Sequence, residues 1–312
     1  LIKLSLNKRW YKVKMRKRRN AHQKNSLQKN GIKKKVGLLV TIACLLVILV
    51  FWGKTTLSKS TSKTSSSDSV TLVKNEGQTY AYLKQTKLTG LQKIKGSTYY
   101  FDPSTGKMKT GLLTLDKGTV YFSPETGKMQ YGLKKIDGYY YYFTKKDGTD
   151  DVVKAYQAVA SKLKTKNQVI EGTIAAGLKL VGKSPYVYGG GRTDDSVANN
   201  EFDCSSFIAQ MYRLGGQSLV YQFAASTTLL AQTGTSQSWT DKTRGDLLIT
   251  PDDATEEEQH AAIYLGGGFI LHDSTSTNGV NISRLNQVIN SDVLGTMTWG
   301  QLFEQGHVRR EV

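Results

Sequence analysis

The stretch that decides the fold of this chain's C-terminal half reads Phe202-Asp203-Cys204-Ser205-Ser206-Phe207-Ile208-Ala209-Gln210-Met211-Tyr212-Arg213-Leu214-Gly215-Gly216. Asp203 is a favoured N-cap residue and the glycine pair 215–216 stops a helix, so a short helix is predicted over residues 204–214. Cys204 then lies in the first turn, where free backbone amides and the positive end of the helix dipole favour a thiolate. The apolar stripe of the same helix offers the alternative that Cys204 is a small core residue.

Two histidines further along the chain favour a reactive cysteine. Residues 260–265 and 269–272 read as strands joined by three glycines, with His260 opening the first strand and His272 closing the second. A three-residue glycine turn with a bulge would place both imidazoles on one face, whereas a two-residue turn would separate them, and we expect the first arrangement. One imidazole could then take the thiol proton while the other orients it. A metal site is not expected, because these residues come without a supporting carboxylate pattern, and no cofactor is predicted.

The net charge of +18 belongs to one end of the chain. Residues 1–67 contain 17 lysines and arginines and no acidic residue, whereas residues 150–312 contain 13 basic and 18 acidic residues. The basicity therefore describes a tail and not the folded part, and binding of nucleic acid is not expected. The chain has two cysteines, Cys44 and Cys204, and Cys44 lies inside an apolar run, so no internal disulfide framework is possible.

The first 69 residues divide into an arm, an apolar segment and a spacer. Residues 1–35 are a basic arm, residues 36–53 are a predicted transmembrane helix, and residues 54–69 are a Ser/Thr/Lys-rich flexible spacer. The lysines and arginines before the apolar segment predict a cytoplasmic N-terminus and a single-pass protein whose later domains lie outside the cell. A cleavable signal peptide is the main alternative, although bulky Phe51 and Trp52 stand where small residues would mark a cleavage site.

Residues 70–150 contain a repeat of 21 residues. Gly-Leu pairs begin at 90, 111 and 132, Tyr-Phe pairs begin at 100, 121 and 142, and further glycines stand at 106, 127 and 148. Each unit is predicted to form a hairpin, and the units must stack because a single hairpin cannot bury its own face. Residues 70–83 read as a degraded fourth unit.

This repeat resembles the cell-wall-binding repeats of Gram-positive surface proteins, of the choline- and glucan-binding type. That family presents aromatic rings between successive hairpins to choline or sugar rings. Leucine or tyrosine stands where choline-binding units commonly have tryptophan, and residues 68–149 carry 13 basic against 7 acidic residues. The resemblance implies a wall polymer as partner, with choline, glucan and teichoic acid all open. The tyrosines could instead only hold the hairpins together.

A second set of ordered motifs covers the predicted domain over residues 151–312. The motifs are Pro185-Tyr186-x-Tyr188-Gly189-Gly190, Asp203-Cys204-Ser205-Ser206-Phe207, Arg244-Gly245-Asp246-Leu247, His260-Ala261-Ala262-Ile263-Tyr264-Leu265-Gly266 and His272. Together they resemble the NlpC-type peptidoglycan endopeptidases over roughly residues 168–312. The resemblance implies an α+β, papain-like fold, in which a helix bearing the cysteine packs on an antiparallel sheet bearing the histidines. Helical patterns over 151–166 and 168–182 and a strand pattern over 245–250 supply further elements.

The resemblance also implies a role for each matching residue. Cys204 would be the nucleophile, His260 the base and His272 the residue that orients this base. The backbone amide of Cys204 and the hydroxyl of Tyr186 would stabilise the oxyanion, while Asp203 and Ser205 would bind the stem peptide. The family cleaves peptide stems of peptidoglycan, typically after γ-D-glutamate.

The chain departs from the family pattern in two places. Residues 192–201 lengthen the loop before the cysteine, and residues 251–259 insert an acidic segment before His260. The acidic residues of this segment are Asp252, Asp253, Glu256, Glu257 and Glu258. Their charge is expected to favour the imidazolium form of His260 and to disfavour acidic substrates.

The sequence therefore predicts a membrane-anchored thiol endopeptidase at the cell wall, whose repeats raise the local concentration of its polymer substrate. Two alternatives remain open. One is a wall-binding surface protein with an inactive peptidase fold, and the other is a related cysteine amidase or acyltransferase.

Overall fold

The structure is a computed structural model that describes residues 70–256, 258–289 and 296–312. The predicted arm, transmembrane helix and spacer over residues 1–69 lie outside the described residues, as does Glu257 of the acidic segment. Within the described ranges, no helix has the length and apolarity that crossing a membrane requires.

The repeats fold into successive antiparallel hairpins. The strands are β1 (Thr71–Asn75), β2 (Gln78–Leu83), β3 (Thr86–Leu88), β4 (Gly90–Ile94), β5 (Ser97–Phe101), β6 (Met108–Lys109), β7 (Gly111–Leu115), β8 (Gly118–Phe122), β9 (Gly132–Ile136) and β10 (Tyr139–Phe143). The pairs β4–β5, β7–β8 and β9–β10 correspond to the three predicted units, and β1–β3 correspond to the degraded one. Phe101, Phe122 and Phe143 are fully buried at equivalent places. The 21-residue period therefore sets which ring of each unit enters the stack.

Methionine side chains join one repeat unit to the next. Gly127 and Gly148 have φ angles of 69° and 76°, in the left-handed region that side chains disfavour. A Cβ at Gly127 would lie 2.4 Å from the sulfur of Met108, and a Cβ at Gly148 would lie 2.4 Å from the sulfur of Met129. Each turn glycine is thus favoured by its own backbone conformation, and the methionine of the preceding unit packs against it.

The C-terminal domain has an α+β architecture, as predicted. Its described helices are α1 (Val152–Leu163), α2 (Gln168–Leu178), α3 (Asp194–Ala198), α4 (Cys204–Gly215), α5 (Thr227–Leu230) and α6 (Trp299–Phe303). Its strands are β11 (Thr235–Gln237), β12 (Leu247–Ile249), β13 (Ala261–Gly266), β14 (Phe269–Ser274), β15 (Gly279–Arg284) and β16 (His307–Arg310). They form one antiparallel sheet in the order β11-β16-β12-β13-β14-β15. Helices α1 and α2 start within one residue of their predicted starts and end three and four residues earlier than predicted.

The sheet is buried on both faces. One face packs against α2 and α4, in a core that contains Ile174, Phe207, Met211, Leu247, Ile263 and Leu271. The other face packs against α6, in a core that contains Leu248, Ala262, Ile270, Trp299 and Phe303. Because neighbouring strand residues point to opposite faces, residues 247 and 248 enter different cores. The sheet therefore carries an almost continuous apolar sequence.

The β13–β14 hairpin has the bulge that the histidine argument requires. Tyr264 pairs with Ile270 and Gly266 pairs with Phe269, so one residue of β13 is extra. The turn itself contains two residues, 267 and 268. A two-residue turn alone would place the two histidines on opposite faces of the sheet, and the extra residue of the bulge brings them back to one face. His260 and His272 consequently project to the same face, as predicted.

The third repeat hairpin packs directly on the C-terminal domain. Arg284 of β15 donates from Nη2 to Asp150 Oδ2 at 2.5 Å, and both side chains are only 5% exposed. The Arg284 guanidinium also lies 4.0 Å from the centre of the Tyr141 ring. The Tyr141 hydroxyl accepts a hydrogen bond from Asn286 at 2.8 Å. A buried charged interface therefore crosses the boundary that the sequence predicts between residues 150 and 151.

Candidate active site

The helix that bears the cysteine is capped at both ends. Asp203 Oδ1 accepts the Ser206 amide at 3.0 Å, and Ser206 Oγ accepts the Asp203 amide at 3.0 Å, which is a capping box. Gly216 ends the helix with a φ of 103°.

Cys204 is the first helical residue and is 6% exposed. Helix α4 contacts strand β13, and the backbone amides of Ser205 and Ala261 act to lower the pKa of the Cys204 thiol, against the larger effect of burial. Ala261 directly follows His260, so the helix N-terminus meets the start of β13.

The two histidines form a hydrogen-bonded pair. His260 Nε2 lies 2.8 Å from His272 Nδ1, and His272 Nε2 lies 2.9 Å from Ser283 Oγ on β15. The ring of Trp299 lies 5.1 Å from the His260 ring and 4.4 Å from the His272 ring, measured between centroids. Since Nε2 of His260 is engaged by His272, Nδ1 is the His260 nitrogen left to exchange a proton with another group.

Burial sets the protonation state of these residues. Burial, reinforced by the charge of Asp203, raises the pKa of the Cys204 thiol to about 12. Burial lowers the pKa of His260 to about 4, and burial together with His260 lowers the pKa of His272 well below its usual value. The thiol and both imidazoles are therefore neutral at pH 7.

Two expectations from the sequence are corrected by this result. The thiolate expected at the helix N-terminus is wrong for this structure, because desolvation of the sulfur outweighs the favourable end of the helix dipole. The expected imidazolium form of His260 is also wrong. Among the carboxylates of the described residues, Asp203 is the one that raises the pKa of His260, and burial outweighs it.

An arginine missed by the sequence analysis holds Asp203 in place. Arg192 Nη1 donates to Asp203 Oδ2 at 2.5 Å, and Nη2 donates to Ser205 Oγ at 3.2 Å and to the Ala225 carbonyl at 2.5 Å. Asp203 Oδ2 also accepts the Gly189 amide at 3.2 Å, and Oδ1 accepts the Ser205 hydroxyl at 2.9 Å. Both carboxylate oxygens are thus occupied by protein groups. The peptide-binding roles of Asp203 and Ser205 stay predictions, and the lengthened loop was the signal that could have drawn attention to Arg192.

A cavity of about 280 Å³ opens over Cys204. It is lined by Tyr186, Tyr188, Gly189, Arg192, Asp203, Cys204, Ser205, Ser226, Thr227, Glu256 and Gln259. Burial raises the pKa of Tyr186, so its hydroxyl is a neutral donor at pH 7. The structure thus brings the predicted residues Tyr186, Asp203 and Ser205 together with the cysteine in one cleft. The two histidines lie in the adjoining sheet.

One buried carboxyl near this site has no role in the chemistry predicted from the sequence. Asp273 follows His272, is fully buried, and neither of its side-chain oxygens has a hydrogen-bond partner among the described residues. Burial, with a contribution from the charge of Asp203, raises the pKa of Asp273 to about 8. Folding therefore favours the protonated acid at neutral pH.

The raised pKa predicts that Asp273→Asn removes a loss of stability at alkaline pH. The folded protein binds the Asp273 proton more tightly than the unfolded chain does. The free energy of unfolding therefore falls as the pH rises from about 4, where the unfolded chain begins to lose this proton, towards 8, where the folded protein begins to lose it. Between pH 5 and pH 8 this group should cost the wild-type protein about 4 kcal/mol, a cost that the Asp273→Asn protein avoids. Urea denaturation of both proteins at the two pH values measures the difference. Equal changes in both proteins would contradict the assignment.

In residues 70–256, 258–289 and 296–312, no group of three or more His, Cys, Asp or Glu side chains is placed to hold a metal ion. The site combines a cysteine at a helix N-terminus with a hydrogen-bonded pair of histidines on the neighbouring sheet. Comparison with family models gives two matches. The model described as the NlpC/P60 family matches residues 182–297, and the model of the choline-binding repeat matches residues 88–130. The chain is therefore similar to the NlpC/P60 family over residues 182–297 and to choline-binding repeats over residues 88–130.

Individual relatives match only part of their own length. The chain is 36% identical over 152 residues to the peptidoglycan DL-endopeptidase CwlO of Bacillus licheniformis. The aligned region covers 49% of this chain and 30% of that protein. It is 33% identical over 102 residues to a probable endopeptidase of Mycobacterium tuberculosis. This aligned region covers 33% of this chain and 23% of that protein. The chain thus spans less than a third of these curated relatives.

Two solved structures match different parts of the chain. The peptidoglycan hydrolase RipB of Mycobacterium tuberculosis is 24% identical, with a TM-score of 0.35, over 50% of this chain and 71% of that one. Choline binding protein F of Streptococcus pneumoniae is 28% identical, with a TM-score of 0.24, over 26% of this chain and 27% of that one.

Proposed function

We propose that this protein is a cell-wall hydrolase that cleaves peptide stems of peptidoglycan after γ-D-glutamate, with Cys204 as nucleophile. The observation that carries the proposal is the contact between the N-terminus of α4 and the start of β13. The Ala261 amide, which acts on the pKa of the Cys204 thiol, directly follows His260, whose ring is hydrogen-bonded to His272. The 36% identity with a relative named as a peptidoglycan DL-endopeptidase supports the choice of substrate.

The hydrogen bonds of the histidine pair define a consistent set of tautomers. For His260 to accept the thiol proton at Nδ1, its Nε2 must carry hydrogen and donate to Nδ1 of His272. His272 then carries hydrogen at Nε2 and donates to Ser283 Oγ. Each observed contact, at 2.8 and 2.9 Å, fits this order. In this order of donors and acceptors, Ser283 and His272 would hold the His260 ring in the tautomer that a general base needs.

The reaction then proceeds in two halves. As the Cys204 sulfur attacks the scissile carbonyl carbon, its proton passes to His260 Nδ1, so a neutral pair becomes an ion pair during the attack. The amide C–N bond breaks, the leaving amine takes the proton from His260, and a thioester remains on Cys204. Water then gives a proton to His260 and its oxygen to the thioester, which releases the new carboxylate and restores the thiol.

Two donors are proposed to stabilise the oxyanion formed in each half. The backbone amide of Cys204 is unpaired within the helix, because the first amides of a helix have no carbonyl partner. The Tyr186 hydroxyl lines the same cavity and remains protonated, since burial raises its pKa. Donors fixed in a partly buried cleft are suited to charge that develops only in the transition state.

The other segments are proposed to bring this cleft to its substrate. The repeats would bind a wall polymer, and residues 36–53 would anchor the protein in the cell membrane with residues 1–35 in the cytoplasm. The packing of the third hairpin on the C-terminal domain supports a fixed placement of the cleft relative to the repeats.

Mass spectrometry of the fragments released from purified peptidoglycan tests the proposed bond. We expect fragments that end in D-glutamate or its amide, together with fragments that begin with the free α-amine of the diamino acid. Cleavage between the sugar lactyl group and L-alanine would instead identify an amidase. Absence of any release by the full chain would contradict the proposed hydrolase.

A further inference from the structure

The charges around the Cys204 cavity do not cancel. Among the described side chains that line it, the arginine, aspartate and glutamate residues are Arg192, Asp203 and Glu256. Arg192 and Asp203 form an ion pair at 2.5 Å, so their charges compensate each other. Glu256 comes from the acidic segment and leaves the cavity with a net negative charge.

The structure holds the Glu256 carboxylate at the cleft. Its Oε1 accepts the hydroxyl of Tyr188 at 2.6 Å, and Tyr188 lies in the loop that follows Tyr186. Gln259 of the same acidic segment contacts Thr227 Oγ1 at 3.2 Å, and both residues also line the cavity. The acidic segment is therefore tied to the two other walls of the cleft, and the Glu256 carboxylate is one of the groups that line the cavity.

We infer that Glu256 makes the cleft selective for a stem peptide whose diamino acid ends in a free ammonium, such as lysine or ornithine. A diamino acid whose side chain ends in an ammonium and an additional carboxylate, as in diaminopimelate, is disfavoured because its distal end is neutral overall and its carboxylate is repelled. The inference rests on the proposed function, since it names the substrate class of the same cleft.

The expected size of the effect follows from the exposure of Glu256. It is an exposed residue, and an exposed charge pair is weakened by solvent and by salt. We therefore expect a preference of about two- to fivefold in kcat/KM at low ionic strength, which shrinks as salt is added.

Three synthetic stem peptides, identical except at the third residue, test the inference with the full-length protein. The third residue is lysine, Nε-acetyl-lysine or diaminopimelate, so that the acetyl group removes the charge while most of the side chain is kept. The variants are Glu256→Gln and Asp253→Asn, the latter a carboxylate-to-amide change in the same segment at a residue that does not line the cavity.

We expect the wild-type and Asp253→Asn proteins to prefer the lysine peptide about two- to fivefold over both others. The Glu256→Gln protein should cleave all three with similar kcat/KM. Equal cleavage of the lysine and acetyl-lysine peptides by the wild type, or an unchanged preference after Glu256→Gln, would overturn the inference and leave the proposed hydrolase intact. Failure of the wild type to cleave any of the peptides would instead remove the proposed function, and the inference with it.

Discussion

Cys204→Ala is expected to lower the rate of peptidoglycan hydrolysis by about 10⁴-fold or more, because loss of the nucleophile removes the covalent route altogether. The folded structure should survive the change, since alanine is a good helix former and Cys204 is a small buried residue at the start of α4. The measurement is release of soluble fragments from purified wall, with near-ultraviolet circular dichroism to check the fold.

Cys44→Ala is the matched control for this prediction. It removes the chain's other thiol, which lies in the predicted transmembrane segment, and it should leave the hydrolysis rate of the purified protein unchanged. Full activity in the Cys204→Ala protein would refute Cys204 as the nucleophile. Loss of activity in both proteins would point to an effect of thiol removal that is unrelated to chemistry.

Asp150→Ala is expected to destabilise the protein by about 3–5 kcal/mol, because it leaves the guanidinium of Arg284 buried without its carboxylate. Arg284 Nε already lacks a hydrogen-bond partner among the described residues. Native domains are stable by only about 5–15 kcal/mol, so this is a large fraction of the total. Guanidinium chloride denaturation, followed by tryptophan fluorescence, measures the loss.

Two further variants decide whether the buried charge is the cause. Asp150→Ala combined with Arg284→Met removes both charges and should regain much of the lost stability, since an apolar pair of similar volume can replace a buried ion pair. Lys109→Ala breaks an exposed pair, Lys109–Asp102 at 3.4 Å, and should cost no more than about 1 kcal/mol. A loss in the Asp150→Ala protein as small as that in the Lys109→Ala protein would contradict the account of the interface.

Local sequence signals were sufficient for the elements that carry the candidate site. The caps of α4 could be predicted because an N-cap aspartate and C-terminal glycines act within a few residues of the helix. The common face of His260 and His272 could be predicted because three consecutive glycines favour a bulged turn. The repeat hairpins could be predicted because their glycines and aromatic residues recur at a fixed interval.

Contacts between distant parts of the chain could not be predicted in the same way. Arg192 reaches Asp203 only because the lengthened loop folds back onto α4, and Ser283 meets His272 only through the pairing of β14 with β15. The thiol pKa is raised because the whole fold buries the sulfur, a property that the helix sequence does not contain. The ion pair between Asp150 and Arg284 likewise joins residues 134 positions apart.

The central claim is that the Cys204 sulfur attacks the stem peptide and carries its acyl half. The most direct test is to mix the protein with a stem peptide, quench in acid within milliseconds to seconds, and map the modified residue by mass spectrometry. The account predicts an added mass equal to the acyl fragment, located on the proteolytic peptide that contains Cys204 and removed by hydroxylamine. Peptide cleavage without any such adduct under single-turnover conditions, or an adduct on another residue, would contradict it.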